Sequence, residues 1–216
     1  MSTAAARTAR VTEESAAGVG WQAQKSASTR TLIIETAIKC FVDVGYSRTT
    51  TTLIAEKAGL SRGAMLHHFP SKLAIVRAAV EHLHAKRLRA FRKAVGKPMA
   101  DGDHVRHSVD AYWAHVRHPM FVAFFELAVA ARTDKQLASI LRPAQEAFER
   151  QWYASALELF PEWKGKGEKF DLAFDLSRYV LEGMAISFLT QKETERDKRV
   201  LNYLDEKLKE LAGLKR

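Results

Sequence analysis

The chain has 216 residues, 47% of them hydrophobic and 27% charged, with a formal net charge of +9. That balance excludes collagen-like, mucin-like and wholly disordered chains, and no uninterrupted apolar run approaches the roughly 18 to 20 residues that cross a bilayer. The basic excess is uneven: residues 28–95 hold twelve Lys/Arg against four Asp/Glu, whereas residues 96–216 hold nineteen of each, the distribution of an anion-binding module joined to a neutral one.

Residues 1–27, rich in Ala, Ser, Thr and Gly without periodicity, are expected to form a disordered arm. The opening has no apolar core of the kind a secretory signal requires, and a cytoplasmic location is expected. Ile33, Ala37, Cys40, Phe41 and Val44 then recur at helical spacing. They place the single cysteine on a buried face, as a reduced thiol. Gly45 ends that helix by permitting a left-handed terminus. Thr50 is the expected N-cap of a short second helix carrying Ile54, Ala55 and Ala58, closed by Gly59. Ser61 caps a third helix through Met65 to about Phe69; Pro70 forbids its continuation, and Ser71 opens a longer helix to about Lys93.

Beyond Gly96 and Pro98 the composition shifts. Val105, Val109, Tyr112, Trp113 and Val116 predict an amphipathic helix ending near Pro119. The following run "MFVAFFELAVAAR" is apolar nearly all round and is expected in the middle of a bundle. A helix from about Lys135 to Leu159 contains Pro143, expected to kink it. After the loop "PEWKGKGE", two last helices are predicted over roughly 168–190 and 193–212. With no strand pattern, the fold class is all-α: a three-helix domain over residues 28–75 and a helical bundle over 76–216.

The second and third short helices, joined by a turn at Gly59, read as a helix-turn-helix. In DNA-binding versions the second of the pair enters the major groove, led by its N-terminal residues. The small residues Gly63 and Ala64 let the backbone approach the bases, Arg62 carries a fork suited to guanine O6 and N7, and His67 can donate to a phosphate or a base edge. Lys72 lies in the first turn of a helix, where the dipole disfavours a cation by roughly 0.3 to 1 kcal/mol; a phosphate bound there would remove the objection. Thr51 and Thr52 can serve the DNA backbone from the preceding helix.

The stretch "GYSRTTTTLIAEKAGLSRGAMLHHFPSKLAIVRAAV" resembles the DNA-binding domain of TetR-family transcriptional regulators. The resemblance rests on its Gly-aromatic pair, Thr pair, Ile-Ala, Ala-Gly, Ser, Gly, small residue, His-Phe and Lys at the family's spacing, and covers about residues 29–82. It implies an all-helical homodimer that binds a double-stranded DNA operator, with a divergent carboxyl-terminal bundle that binds a small-molecule effector and dimerises through its last two helices. It also makes Arg62, Gly63, Ala64 and His67 recognition-helix contacts, Thr51 and Thr52 contacts from the preceding helix, and Lys72 the phosphate anchor. Leu66 stands where the family usually has a tyrosine, so a polar contact is exchanged for a residue that can meet a thymine methyl or pack.

Within the bundle, Tyr112, Trp113, Phe121, Phe124, Phe125, Trp152 and Phe188 are candidate walls of an apolar ligand cavity, with Arg132, His115 or Glu126 orienting a polar group. Leu201, Leu204, Leu208 and Leu211 recur by three, four and three, a seam suited to a partner helix or to packing within the subunit. The expected function is a ligand-responsive repressor without cofactor or enzymatic activity; no phosphate loop or nucleophile elbow is present in the sequence. Two alternatives stand beside it. A metal-binding protein is suggested by eight histidines, but these lack a His-Glu-x-x-His or paired-cysteine motif. A ligand-independent architectural DNA binder is the other, and the large aromatic second half argues against it.

Overall fold

The computed structural model describes the backbone of residues 3–96 and 103–214, with side chains from Trp21 onward. The described residues form nine α-helices and one short 3-10 turn, and none is in a strand. The chain divides into two compact units, residues 1–79 and 80–216. Pro98, beyond which the composition shifts, lies outside the described residues. None of the described helices is long and apolar enough to cross a membrane.

In the first unit, α1 (Thr3–Val44) includes the stretch expected as a disordered arm. Alanine-rich sequence favours helical backbone, yet it offers no apolar stripe to bury, and the side chains from Trp21 to Ser28 are exposed. Packing begins with Ile33, Ala37, Cys40 and Phe41, all 0–1% exposed. Burial pushes the Cys40 thiol pKa up, which keeps it protonated and unreactive. Gly45 takes φ +80°, and Thr49, fully buried, donates its hydroxyl back to the Gly45 carbonyl at 2.7 Å.

Thr50 caps α2 (Thr51–Lys57) by accepting from the Leu53 amide at 3.1 Å. The turn at Gly59 (φ +67°) then leads to Ser61, which caps α3 (Arg62–His68) by accepting from the Ala64 amide at 3.1 Å. Such caps satisfy amides that a helix start leaves without intrahelical partners, each contributing about 1 kcal/mol. Ser71 repeats the device, accepting from the Ala74 amide in the first turn of α4 (Lys72–Val95), which begins in the first unit and continues into the second.

The second unit also contains α5 (His104–Val116), α6 (Pro119–Ala131), α7 (Lys135–Leu159), a 3-10 turn at Pro161–Trp163, α8 (Glu168–Ser187) and α9 (Glu195–Ala212). Their starts use Asp103, His118, Asp134 and the Thr194–Asp197 capping box, and Gly213 (φ +73°) ends α9. Lys209 of α9 bonds both Asp205 and the α5 cap residue Asp103. The core gathers Val109, Tyr112, Trp113, Trp152, Leu181 and Leu204 from four helices. Within this chain α6 is not enclosed, against the expectation from its apolar run: Phe121, Ala123 and Leu127 are buried, but Val129 is 50% exposed. One face of the run meets neighbours in the chain, and composition alone does not say how many faces will find them.

Candidate nucleic-acid interface

Of the seven residues of α3, only Met65 is buried. It anchors the helix, and Arg62, Gly63, Ala64, Leu66 and His67 are all exposed, so the face proposed to read bases is free of contacts that would hide it. A Cβ added at Gly63 would meet nothing within 4 Å; glycine there is not demanded by the chain's own packing. Thr52 is exposed and Thr51 half-buried at the start of α2.

The carboxyl end of α3 is held by a residue that sequence reading passed over. Arg30 of α1 donates from Nη1 to the His68 carbonyl at 2.7 Å while its guanidinium lies 4.3 Å from the Phe69 ring centroid. This cation satisfies a carbonyl at a helix end, where positive charge is favoured. Its partner lies 38 positions along the chain, so nothing local marked it. Lys72 lies over the Tyr46 ring at 3.8 Å and donates to the Tyr46 carbonyl at 2.6 Å, so the helix-start cation expected to need a phosphate already has a partner inside the chain.

In the second unit a cavity of ≈ 60 Å³ is lined by Phe91, Tyr112, Trp152, Phe160, Phe170 and Phe174, among others. Of the eight residues predicted to bind ligand, Tyr112 and Trp152 line it and the other six do not. Trp113 packs edge-on against Phe188, ring centroids 5.5 Å apart; Phe121 and Phe124 face the Arg87 guanidinium instead. Phe125 is half-buried, and Arg132, at the carboxyl cap of α6, is exposed. The cavity's other aromatics came from α4, the 3-10 region and α8, whose apolar spacing marked them only as core.

The leucine seam points inward. Leu201, Leu204 and Leu208 are 3–6% exposed in the core of their own subunit, and Leu211 packs against that core. An amphipathic pattern gives a helix one apolar stripe, and here the subunit uses it. On α8 and α9 the large apolar groups left outside are Leu172, Tyr179, Val200 and Tyr203, each 42–63% exposed. Among the described residues no group of three or more His, Cys, Asp or Glu stands where it could hold a metal ion.

Residues 33–79 match the family model for bacterial regulatory proteins of the tetR family. An uncharacterized HTH-type transcriptional regulator of Mycobacterium tuberculosis (strain ATCC 25618 / H37Rv) is 27% identical over 181 residues, 81% of this chain and 90% of its own length. The HTH-type transcriptional regulator CymR of Pseudomonas putida is 27% identical over 188 residues, covering 84% and 89% respectively. The crystal structure of a TetR family transcription regulator from Marinobacter aquaeolei VT8 superposes with a TM-score of 0.63 at 16% identity, over 85% of this chain and 97% of its own. That likeness is one of fold.

Proposed function

We propose that the chain is a DNA-binding transcriptional regulator of the TetR family, and that it acts in the cytoplasm as a homodimeric repressor released from its operator by a small molecule. The observation that carries the DNA-reading part is the exposed face of α3, held by a serine cap and one buried methionine. It lies in a segment with three times as many basic as acidic residues. Arg62 reads a guanine, Gly63 and Ala64 admit the backbone to the groove, and Leu66 and His67 contact bases or sugar-phosphate beside it. Thr51 and Thr52 grip a phosphate from α2.

Two copies would present their α3 helices to half-sites about one helical turn, ~34–36 Å, apart. The exposed Leu172, Tyr179, Val200 and Tyr203 supply the apolar surface for pairing α8 and α9 with their copies. The aromatic cavity supports the effector reading: α4, which contributes Phe91 to its wall, starts in the DNA-binding unit. A molecule that favours one placement of α4 shifts the protein toward the matching DNA affinity.

The test is fluorescence anisotropy of the purified chain against duplexes tiled across the DNA flanking its coding sequence. Saturable binding to one palindromic site, falling steeply with added salt, is expected. Binding that is equal on every duplex, or absent at low salt, would remove the reading.

A further inference from the structure

Arg87 on α4 is the most deeply buried charged group among the described residues, 1% exposed. Its position in the stripe Leu83, Arg87, Phe91 is one where helical spacing calls for an apolar residue. A buried guanidinium is stabilised by a two-point pair with a carboxylate. Here that pair is incomplete. Nε donates to Nε2 of His115 at 3.0 Å, Nη2 stands 3.7 Å from Oε1 of Glu182, and Nη1 has no hydrogen-bond partner. The same Glu182 oxygen accepts the Tyr112 hydroxyl at 3.0 Å. Burial raises the Glu182 pKa and lowers that of Arg87, so desolvation outweighs the attraction across their gap.

The surroundings have the same character. The rings of Phe148, Phe124 and Phe121 lie 4.5, 5.1 and 6.0 Å from the guanidinium. The His84 ring stacks on Phe148 at 4.6 Å, and its Nε2 also has no partner. Nor does Oε1 of Gln145, one turn before Phe148 on α7. Two of these buried groups, Arg87 and His84, lie on the Phe148 ring, and His84 and Gln145 attract one another without a hydrogen bond of full geometry. Native structures leave few buried polar atoms without full hydrogen bonds, and a cluster of them marks a place made for a polar guest.

We propose that Arg87 is the anion anchor of a small-molecule site in the carboxyl-terminal unit, and that the molecule it takes is a small apolar monocarboxylate. Its carboxylate completes the guanidinium fork at Nη1, and its apolar body packs on Phe124 and Phe148. One charge is set by the site itself: Arg87 is the guanidinium that faces these rings, the nearby Arg178 is already paired with Glu149, and Glu182 repels a second carboxylate. His115 links this anchor to the cavity wall, its ring 5.6 Å from that of Trp152 and 6.3 Å from that of Tyr112. The inference rests on the effector reading above and names that effector's chemical class.

The experiment measures binding to the full-length chain without DNA, by calorimetry and thermal shift, using benzoate beside benzamide and octanoate beside octanamide. Each acid is expected to bind at least about tenfold more tightly than its amide, and the better acid tells whether the body is aromatic or aliphatic. In Arg87→Met, which keeps the volume and removes the charge, that preference should shrink to within about twofold. Equal binding of acid and amide by the unaltered protein, or no binding of either, overturns the site, whether or not the variant folds. An acid preference that survives in a folded Arg87→Met also overturns it. The same acids are then added to the protein–operator complex. An acid that binds through Arg87 without releasing DNA leaves the site standing and removes its role as effector; release by acid and amide alike removes the site and leaves the regulator.

Discussion

The ammonium of Lys72 lies 2.6 Å from the carbonyl oxygen of Tyr46 and 3.8 Å from the centre of that residue's ring, tying the start of α4 to the turn that ends α1. A charge-assisted hydrogen bond of this kind contributes about 1.5–3 kcal/mol, and the ring contact about 0.5–1 kcal/mol. Lys72→Ala is therefore expected to lower the thermal midpoint of the chain. Tyr46→Leu, which keeps the carbonyl, should lower it through lost ring packing while leaving the hydrogen bond. A lysine that served only as a phosphate ligand would behave otherwise: its removal would leave the midpoint unchanged and reduce the salt dependence of DNA binding by about one phosphate.

Arg62 and Leu66 stand side by side on the exposed face of α3. Arg62→Ala should relax base choice at one position of each half-site, at a cost of about 1–3 kcal/mol. Leu66→Tyr adds a hydroxyl to a side chain that is 36% exposed and should change which sequences are selected while stability stays within about 0.5 kcal/mol. Selection from random duplexes reads both. Unchanged preferences in both variants would move recognition elsewhere.

The burial of Leu204 beside the exposure of Tyr203 separates two roles on α9. Leu204→Ala should destabilise the subunit by about 2–5 kcal/mol through the cavity it leaves, read as a lower denaturant midpoint. Tyr203→Glu, paired with Tyr179→Glu on α8, should leave the subunit folded but shift it to a monomer in sedimentation experiments. A dimer that tolerates both glutamates would place the partner surface off these helices.

His84 and His115 are held neutral: burial first, then the Arg87 charge, pulls their pKa values to about 4 and about 3. In an unfolded chain both titrate near 6.5. As pH falls below that value the unfolded state takes up protons that the folded state refuses, so stability falls from about pH 6.5 toward pH 4. The slope is about 1.4 kcal/mol per pH unit for each histidine. Glu182 works the other way, because its raised pKa lets the folded state bind a proton first. Urea midpoints measured from pH 7 to pH 5 should fall, and the fall should be shallower in His84→Gln/His115→Gln. Equal slopes would show that the two rings are not buried in neutral form.

The caps at Thr50, Ser61 and Ser71 and the left-handed turns at Gly45 and Gly59 were legible from the chain itself, because each depends on residues within a few positions of one another. Through them the order of the short helices followed from local chemistry alone. The direction of the α9 leucines was not legible, since a stripe at helical spacing packs equally well on its own subunit or on a copy. Nor was the state of α6, whose apolar faces outnumber the neighbours they find in this chain. Arg30, Arg87 and Glu182 escaped notice for the same reason at longer range: their partners lie 38, 28 and 70 positions away along the chain. Apart from the start of α1, what the sequence by itself determined is each helix, its approximate limits and its apolar stripe, since these rest on bonds and caps between near neighbours. Which stripe meets which, and therefore where a charge is buried or a ring becomes a wall, was decided only by tertiary packing, because burial is a property of distant segments brought together.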